Sequence, residues 1–363
     1  MAIVGVLAPA LPGARWYDVA CRALFVFGAG AVAVLYGGTA TARKRTVAAI
    51  VIAYAALQIM APIGVPNIGI DVFVWTQTAL GALRQGVHPY VAHIADAAQM
   101  RPTAAIYPYM PATLIAFFPA FVLFGDCRVL SAIAIPAAVV LQRATGRRLG
   151  IDSAFLDATT LAFVLHPRST WITANAWNES LLVFVLVAFT YLAVRRPAGC
   201  GQAIAFFLLP ALKQYMVAPV LLFVGTRPPK QRLSCIALAA AVAGLTVLPF
   251  LLWNWRATLN GIVTQMIAPA APRLDSTSFV AVVAVEAGIS ATRWLSIVVH
   301  FVAAGVAYAY LRRRGLGGVL LASALTLTAT FLAGWQAFVN YYYLASVMLL
   351  SAAMALAADP GGL

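Results

Sequence analysis

The chain has 363 residues, 63% of them hydrophobic and only 9% charged, with a mean hydropathy of +0.92. Soluble proteins carry about 25% charged residues, so an ordinary soluble domain is excluded and residues 1–363 are read as one all-α integral-membrane bundle. The 24 Lys and Arg against 10 Asp and Glu leave +14, but the cations cluster between apolar runs, which marks topology and lipid contact and argues against nucleic acid.

In chain order, apolar runs are predicted at 16–36 and 46–60, with Arg43-Lys44-Arg45 between them. Placing that cluster in the cytoplasm makes 67–107 an extracytoplasmic loop. Within it Val72, Trp75, Ala79 and Leu83 recur at helical spacing, which predicts an amphipathic helix lying in the interface. Gly86 ends that helix, and His88-Pro89-Tyr90 forms the exit turn. Further apolar runs at 108–124, 129–142, 153–165, 179–194, 202–224, 233–252, 294–311, 316–334 and 341–357 bring the expectation to about ten to twelve membrane segments.

Strict alternation puts the basic residues at 143–148 and 195–196 on the outer side. Re-entrant hairpins near 108–142 and 202–224 restore the positive-inside pattern, and Pro210, Lys213 and Pro219 break the second run. The longer loops at 166–180, 253–279 and 334–343 carry aromatic, amide and acidic side chains and are expected to gather on the extracytoplasmic face of a multi-pass protein in the plasma (inner) membrane.

Several chemistries lack their residues. The four cysteines form no CxxC and the histidines are few, so unpaired thiols are expected and a zinc-like cluster is not. Neither a GxGxxG after a strand nor a Walker lysine occurs, which disfavours a nucleotide. The acids neither require nor exclude a divalent metal. MAIVGVLAPALPG has no basic leader, so a cleaved signal peptide is not expected.

Among the acids, Asp71 stands just ahead of the predicted interfacial helix. It reads equally as a helix N-cap or as a general base whose pKa a partly dry cleft raises. Val74 occupies the position where a capping box needs Glu or Gln. Lys213 lies inside an apolar run, where an ionisable residue is expensive; it is read as functional or as a snorkelling side chain. Arg273 can bind an anionic ligand bidentately or pair with Asp275, which is itself a second carboxylate or an N-cap. Arg168 beside His166 is a third cation, with interface anchoring as its alternative. Glu179 at the start of an apolar run is chiefly favoured by the helix dipole, and Glu286 has no evident partner. His88, His93, Gln336 and Asn340 are candidates to hydrogen-bond a polar ligand; Tyr107, Tyr109, Trp171, Trp177, Trp253, Trp255 and Trp335 could stack on its ring or serve as interfacial aromatics.

The order Asp71, helix, Gly86-Val87-His88-Pro89-Tyr90, then Tyr107-Pro108-Tyr109-Met110-Pro111 opening an apolar run resembles the polyprenol-phosphate-sugar-dependent glycosyltransferases of the C-type fold. It is most similar to glycosyltransferase family 87, the polyprenol-phosphate-mannose-dependent mannosyltransferases. Looser matches follow at Leu212-Lys213-Gln214, Arg273-Leu274-Asp275-Ser276 and Asn340-Tyr341-Tyr342-Tyr343, and Tyr109 departs from the family's usual second proline. The resemblance implies a lipid-linked sugar donor rather than a cofactor, and a glycolipid, glycan or protein acceptor. Asp71 becomes the base of an inverting transfer, Lys213, Arg273 and Arg168 the phosphate-binding cations, and His88, Tyr107, Tyr109, Gln214, Asp275, Gln336 and Asn340 the substrate contacts. A transporter or flippase of lipid-linked sugars is the rival reading, although no internal repeat is visible; a non-catalytic scaffold is the third.

Overall fold

The computed structural model describes residues 15–66, 68, 70–92, 106–196, 200–264, 276–288, 294–334 and 337–358. His93, Arg273, Asp275, Trp335 and Gln336 therefore lie outside the described residues. The described residues are helical throughout, without a strand: α1 (Arg15–Gly37), α2 (Ala40–Gly64), α3 (Asp71–Arg84), α4 (Pro111–Phe124), α5 (Arg128–Arg148), α6 (Ser153–Val164), α7 (Ser169–Ala174), α8 (Glu179–Arg195), α9 (Cys200–Leu212), α10 (Val217–Gly225), α11 (Pro229–Leu259), α12 (Phe279–Ala287), α13 (Trp294–Leu311), α14 (Gly315–Leu332) and α15 (Val339–Ala357). Seven of them, α1, α2, α5, α11, α13, α14 and α15, are long and apolar enough to cross a membrane; α4, α6, α9 and α10 are apolar but shorter. In such a setting helices close every backbone hydrogen bond within the segment, which is why this composition yields nothing else.

The helix ends sort into two sets. At one end Arg43 of α2 and Arg143 of α5 both grip Asp157 of α6, at 3.1 and 2.9 Å. Arg148 lies over the Tyr191 ring near the end of α8, at 5.5 Å. The basic residues at 43–45, 143–148 and 195–196 therefore share one end of the bundle.

The two expected hairpins fare differently. At 202–224, α9 runs away from the basic end and α10 returns to it, and Arg227 donates to Gln202 Oε1 across the base at 3.3 Å. The break falls at Lys213, whose backbone is extended (φ −154°, ψ 129°), followed by the 3-10 turn Gln214–Met216. At 108–142 no hairpin forms. Near its start α4 is tied to Leu212, where the Thr113 hydroxyl donates to that residue's carbonyl, and the carbonyl of its cap Gly125 accepts from the Gln77 amide of α3. Both ends of α4 thus stay away from the basic end, the left-handed Gly125 (φ 74°) stops it, and α5 runs the length of the bundle alone. That arrangement brings 143–148 to the basic end by a route other than the expected one.

α3 matches the predicted amphipathic helix, and its Trp75 and Ala79 are buried in the protein core. The predicted loop at 253–279 begins as helix instead. Asn254 departs from helical geometry, its side chain accepts from the Ala257 amide, and the helix restarts before a π turn at Asn260–Thr264. Gly261 lets that turn approach the first loop: a Cβ there would fall on the Tyr90 ring and lie 2.8 Å from the Tyr107 carbonyl. Arg128, at the start of α5, is 1% exposed and clamps the same end. Its guanidinium donates to the carbonyls of Val65, Ala174 and Pro62, pairs with Asp126 at 2.6 Å, and lies over the Phe73 ring.

Candidate functional site

At the end opposite the basic clusters, α8 begins with a fully buried acid. The chain reaches it through Ala176, whose φ of 54° is left-handed, a strained setting for alanine that turns Asn178 and Glu179 inward. Glu179 then accepts from three donors on two separate segments. Lys213, from the α9–α10 break, pairs with Oε1; the Tyr215 hydroxyl donates to the same oxygen at 3.0 Å; and the Asn340 amide, from the first turn of α15, donates to Oε2 at 2.6 Å. The Lys213 ammonium also faces the rings of Tyr341, Tyr215 and Tyr109 at 4.4, 5.4 and 5.5 Å. An ammonium in an aromatic cage with one carboxylate is a compensated buried charge, held by geometry that neither partner could keep alone.

Polar atoms are left over around this pair. Both side-chain amide atoms of Asn178, Oδ1 of Asn340 and Oε1 of Gln214 are buried without a hydrogen-bond partner among the described residues. Buried amides ordinarily find partners, so the centre has capacity for a polar ligand. Gln214 itself donates to the Ile262 carbonyl at 3.0 Å, tying the Lys213 turn to the π turn.

Asp71 is half-buried at the first position of α3, with Ile70 as the N-cap residue. Its Oδ1 accepts from the amide of Val72 at 2.8 Å. One helical turn on, on the same face, the Trp75 ring meets the Tyr109 ring at 6.0 Å, and Tyr109 in turn faces Lys213. Tyr109 also continues a ladder of edge-on rings through Tyr107 to Tyr90, and the Tyr90 hydroxyl donates to the Tyr109 carbonyl.

The remaining sequence candidates sit around this centre with other duties. His88 is buried against Trp253, Phe250 and Tyr90. Its Nε2 is 3.2 Å from the Phe250 carbonyl and 3.3 Å from the Thr258 hydroxyl, while Nδ1 accepts from the Tyr90 amide. That pattern assigns the Nε2–H tautomer and occupies both nitrogens; burial lowers the His88 pKa below its ordinary value. Arg168 lies over the Trp171 ring at 4.6 Å, the anchoring alternative in geometric form. Beside it the His166 ring meets Tyr343 at 4.9 Å, and burial with the nearby Arg168 charge lowers the His166 pKa to about 4. Glu286 is exposed on α12. Three cysteines, Cys21, Cys127 and Cys235, are free thiols.

Along the chain Glu179 looks like an acid favoured chiefly by a helix dipole, Tyr341 enters only within the Asn340-Tyr341-Tyr342-Tyr343 match, and Tyr215 and Arg128 do not stand out. A signal existed for Glu179: two lone opposite charges, each at the edge or break of an apolar run, demand partners, and they are each other's. The tyrosines had none, because interfacial and cage tyrosines look alike along a chain. No protein-family model matches the sequence, and no curated protein matches it.

Proposed function

We propose that this chain is an integral-membrane glycosyltransferase that takes a sugar from a polyprenol-phosphate donor, mannose by resemblance, and passes it to an acceptor hydroxyl at the polar end of the bundle. One observation supports the reading above others: the separated segments that carry the resemblance converge there. The helix that begins at Asp71 meets Tyr109 through Trp75, and Tyr109 meets Lys213, whose partner Glu179 is held by Asn340. Chance placement of interfacial aromatics and a lone lysine does not require that meeting.

In this reading Asp71 accepts the proton of the acceptor hydroxyl while its oxygen bonds to the anomeric carbon. The bond from that carbon to the phosphate oxygen breaks, the electron pair leaves with the phosphate, and the centre inverts. Lys213 has three N–H donors, of which Glu179 takes one and Tyr341 another, so one remains for a phosphate oxygen. Glu179 positions the ammonium, and Asn178 and Asn340 offer unpaired amide atoms to hydroxyls. Arg168 remains the second cation of the proposal, released from Trp171. The acceptor is a glycolipid, glycan or protein on the outer face of the plasma membrane.

The test is transfer from radiolabelled polyprenol-phosphate mannose in membranes containing the protein. Asp71→Asn is expected to lower the rate about 10²–10⁴-fold, the usual worth of a general base. Undiminished transfer in Asp71→Asn removes the base assignment. The buried Glu179–Lys213 pair also favours a second reading, translocation of lipid-linked sugar without chemistry, because ionisable residues inside membrane bundles mark transport paths. Reconstituted protein that moves the donor across a vesicle bilayer and never cleaves it would select that reading.

A further inference from the structure

At the basic end, remote from the Glu179 centre, the bundle holds a half-open cavity of about 600 Å³ between α2, α5 and the start of α6. Its walls are apolar, with Val51, Ile52 and Leu156 prominent, and its polar lining includes Lys44, Arg143, Arg147 and Asp157. The charges are arranged unequally. Asp157, 2% exposed, is already shared by Arg143 and by Arg43 just outside the cavity. Arg143 is further held by the Thr160 hydroxyl and Arg43 by the Ser153 hydroxyl. Lys44 and Arg147 pair with no carboxylate among the described residues. Three cationic side chains against one carboxylate give the lining a net +2. The exposed Asp152 at the start of α6 is engaged by the amides of Ala154 and Phe155.

The apolar wall does not stop at the cavity. Ile52 is 69% exposed, and Ile59 and Ile63, at 58% and 69%, continue its face of α2 away from the basic end. Positions i, i+7 and i+11 fall within about 40° of one another on a 3.6-residue helix, so the three form one stripe. A cavity with unpaired cations at its mouth and an apolar track leading into the bundle's depth matches an amphiphile, not a soluble anion. We propose that this cavity binds the phosphate headgroup of an anionic membrane phospholipid, with Lys44 and Arg147 on the phosphate and an acyl chain along Ile52, Ile59 and Ile63. Arg143 and Asp157 form the fixed floor, braced from outside by Arg43.

The experiment is native mass spectrometry of the full-length protein released from mixed phosphatidylglycerol and phosphatidylcholine nanodiscs. The wild type is expected to retain phosphatidylglycerol over phosphatidylcholine. The double variant Lys44→Gln/Arg147→Gln is expected to lose that preference about thirtyfold, from two surface cations of about tenfold or less each. Lys230→Gln/Arg313→Gln, which removes the same charge from exposed sites elsewhere, is expected to keep it. Equal retention by the Lys44/Arg147 variant overturns the site. So does equal loss in the Lys230/Arg313 variant, which would mean diffuse attraction, or displacement of the lipid by inorganic phosphate, which would mean a soluble-anion site.

Discussion

Glu179 and Lys213 illustrate how one residue's meaning depends on another far along the chain. Each is buried, and removing either leaves the other's charge without its partner, a loss of about 3–5 kcal/mol. Glu179→Gln and Lys213→Met are each expected to lower thermal stability in detergent sharply, whereas Glu179→Gln/Lys213→Met should lose much less than their sum. Additive losses would show that the pair is not coupled. His166 makes a separate prediction from its own surroundings. Its folded pKa of about 4 lies below the ordinary value of 6.5, so between those values the unfolded chain binds a proton that the folded one refuses. Stability is therefore full above about pH 6.5 and declines as pH falls toward 4. His166→Gln should flatten that part of the unfolding curve; an unchanged slope would assign it to other groups.

Among the elements, α3, α9 and α10 were legible, and α4 was legible in its bounds but not in its placement. Helical periodicity marked α3, the prolines with Lys213 marked the α9–α10 break, and Gly125-Asp126-Cys127-Arg128 separated the runs at 108–124 and 129–142, because these signals are local. That α4 stays near the polar end while α5 runs the length of the bundle rests on contacts with Leu212 and Gln77 that no local pattern announces. Arg128 secures the junction. Its planar fork reaches three carbonyls and Asp126 at once, a set that a single ammonium cannot span. Arg128→Lys should therefore destabilise the protein by about 2–4 kcal/mol, read as a fall in the unfolding midpoint of purified protein. A midpoint within error of the wild type would mean that the clamp contributes nothing net.

For the whole molecule, the grouping of basic clusters at one end predicts the sidedness of labelling. In a background without the native cysteines, single cysteines replacing Lys44, Arg147 and Arg313 should react with an impermeant reagent from one side of sealed vesicles. A cysteine replacing Val87, 43% exposed near the polar end, should react only from the other. Arg313 belongs with the first set because the adjoining helix α13 is tied to the Gly225 carbonyl through Tyr308. Reaction of 147 and 87 from the same side would break the two-ended arrangement.

Composition and the length of its apolar runs determined that this chain is a helical membrane protein, because lipid admits only helices and closed barrels, and long unbroken apolar runs fit helices and not the alternating strands of a barrel. Local spacing determined α3, the broken hairpin and the unusual status of Asp71 and Lys213. Only the tertiary structure decided that Lys213 meets Glu179 inside a tyrosine cage, that His88 is fully engaged by α11 and the Tyr90 turn, and that the cations at 44, 143 and 147 line one cavity. Those facts pair residues up to 170 positions apart. Hydropathy and periodicity report which face of a segment is apolar; they carry no information about which other segment will cover it.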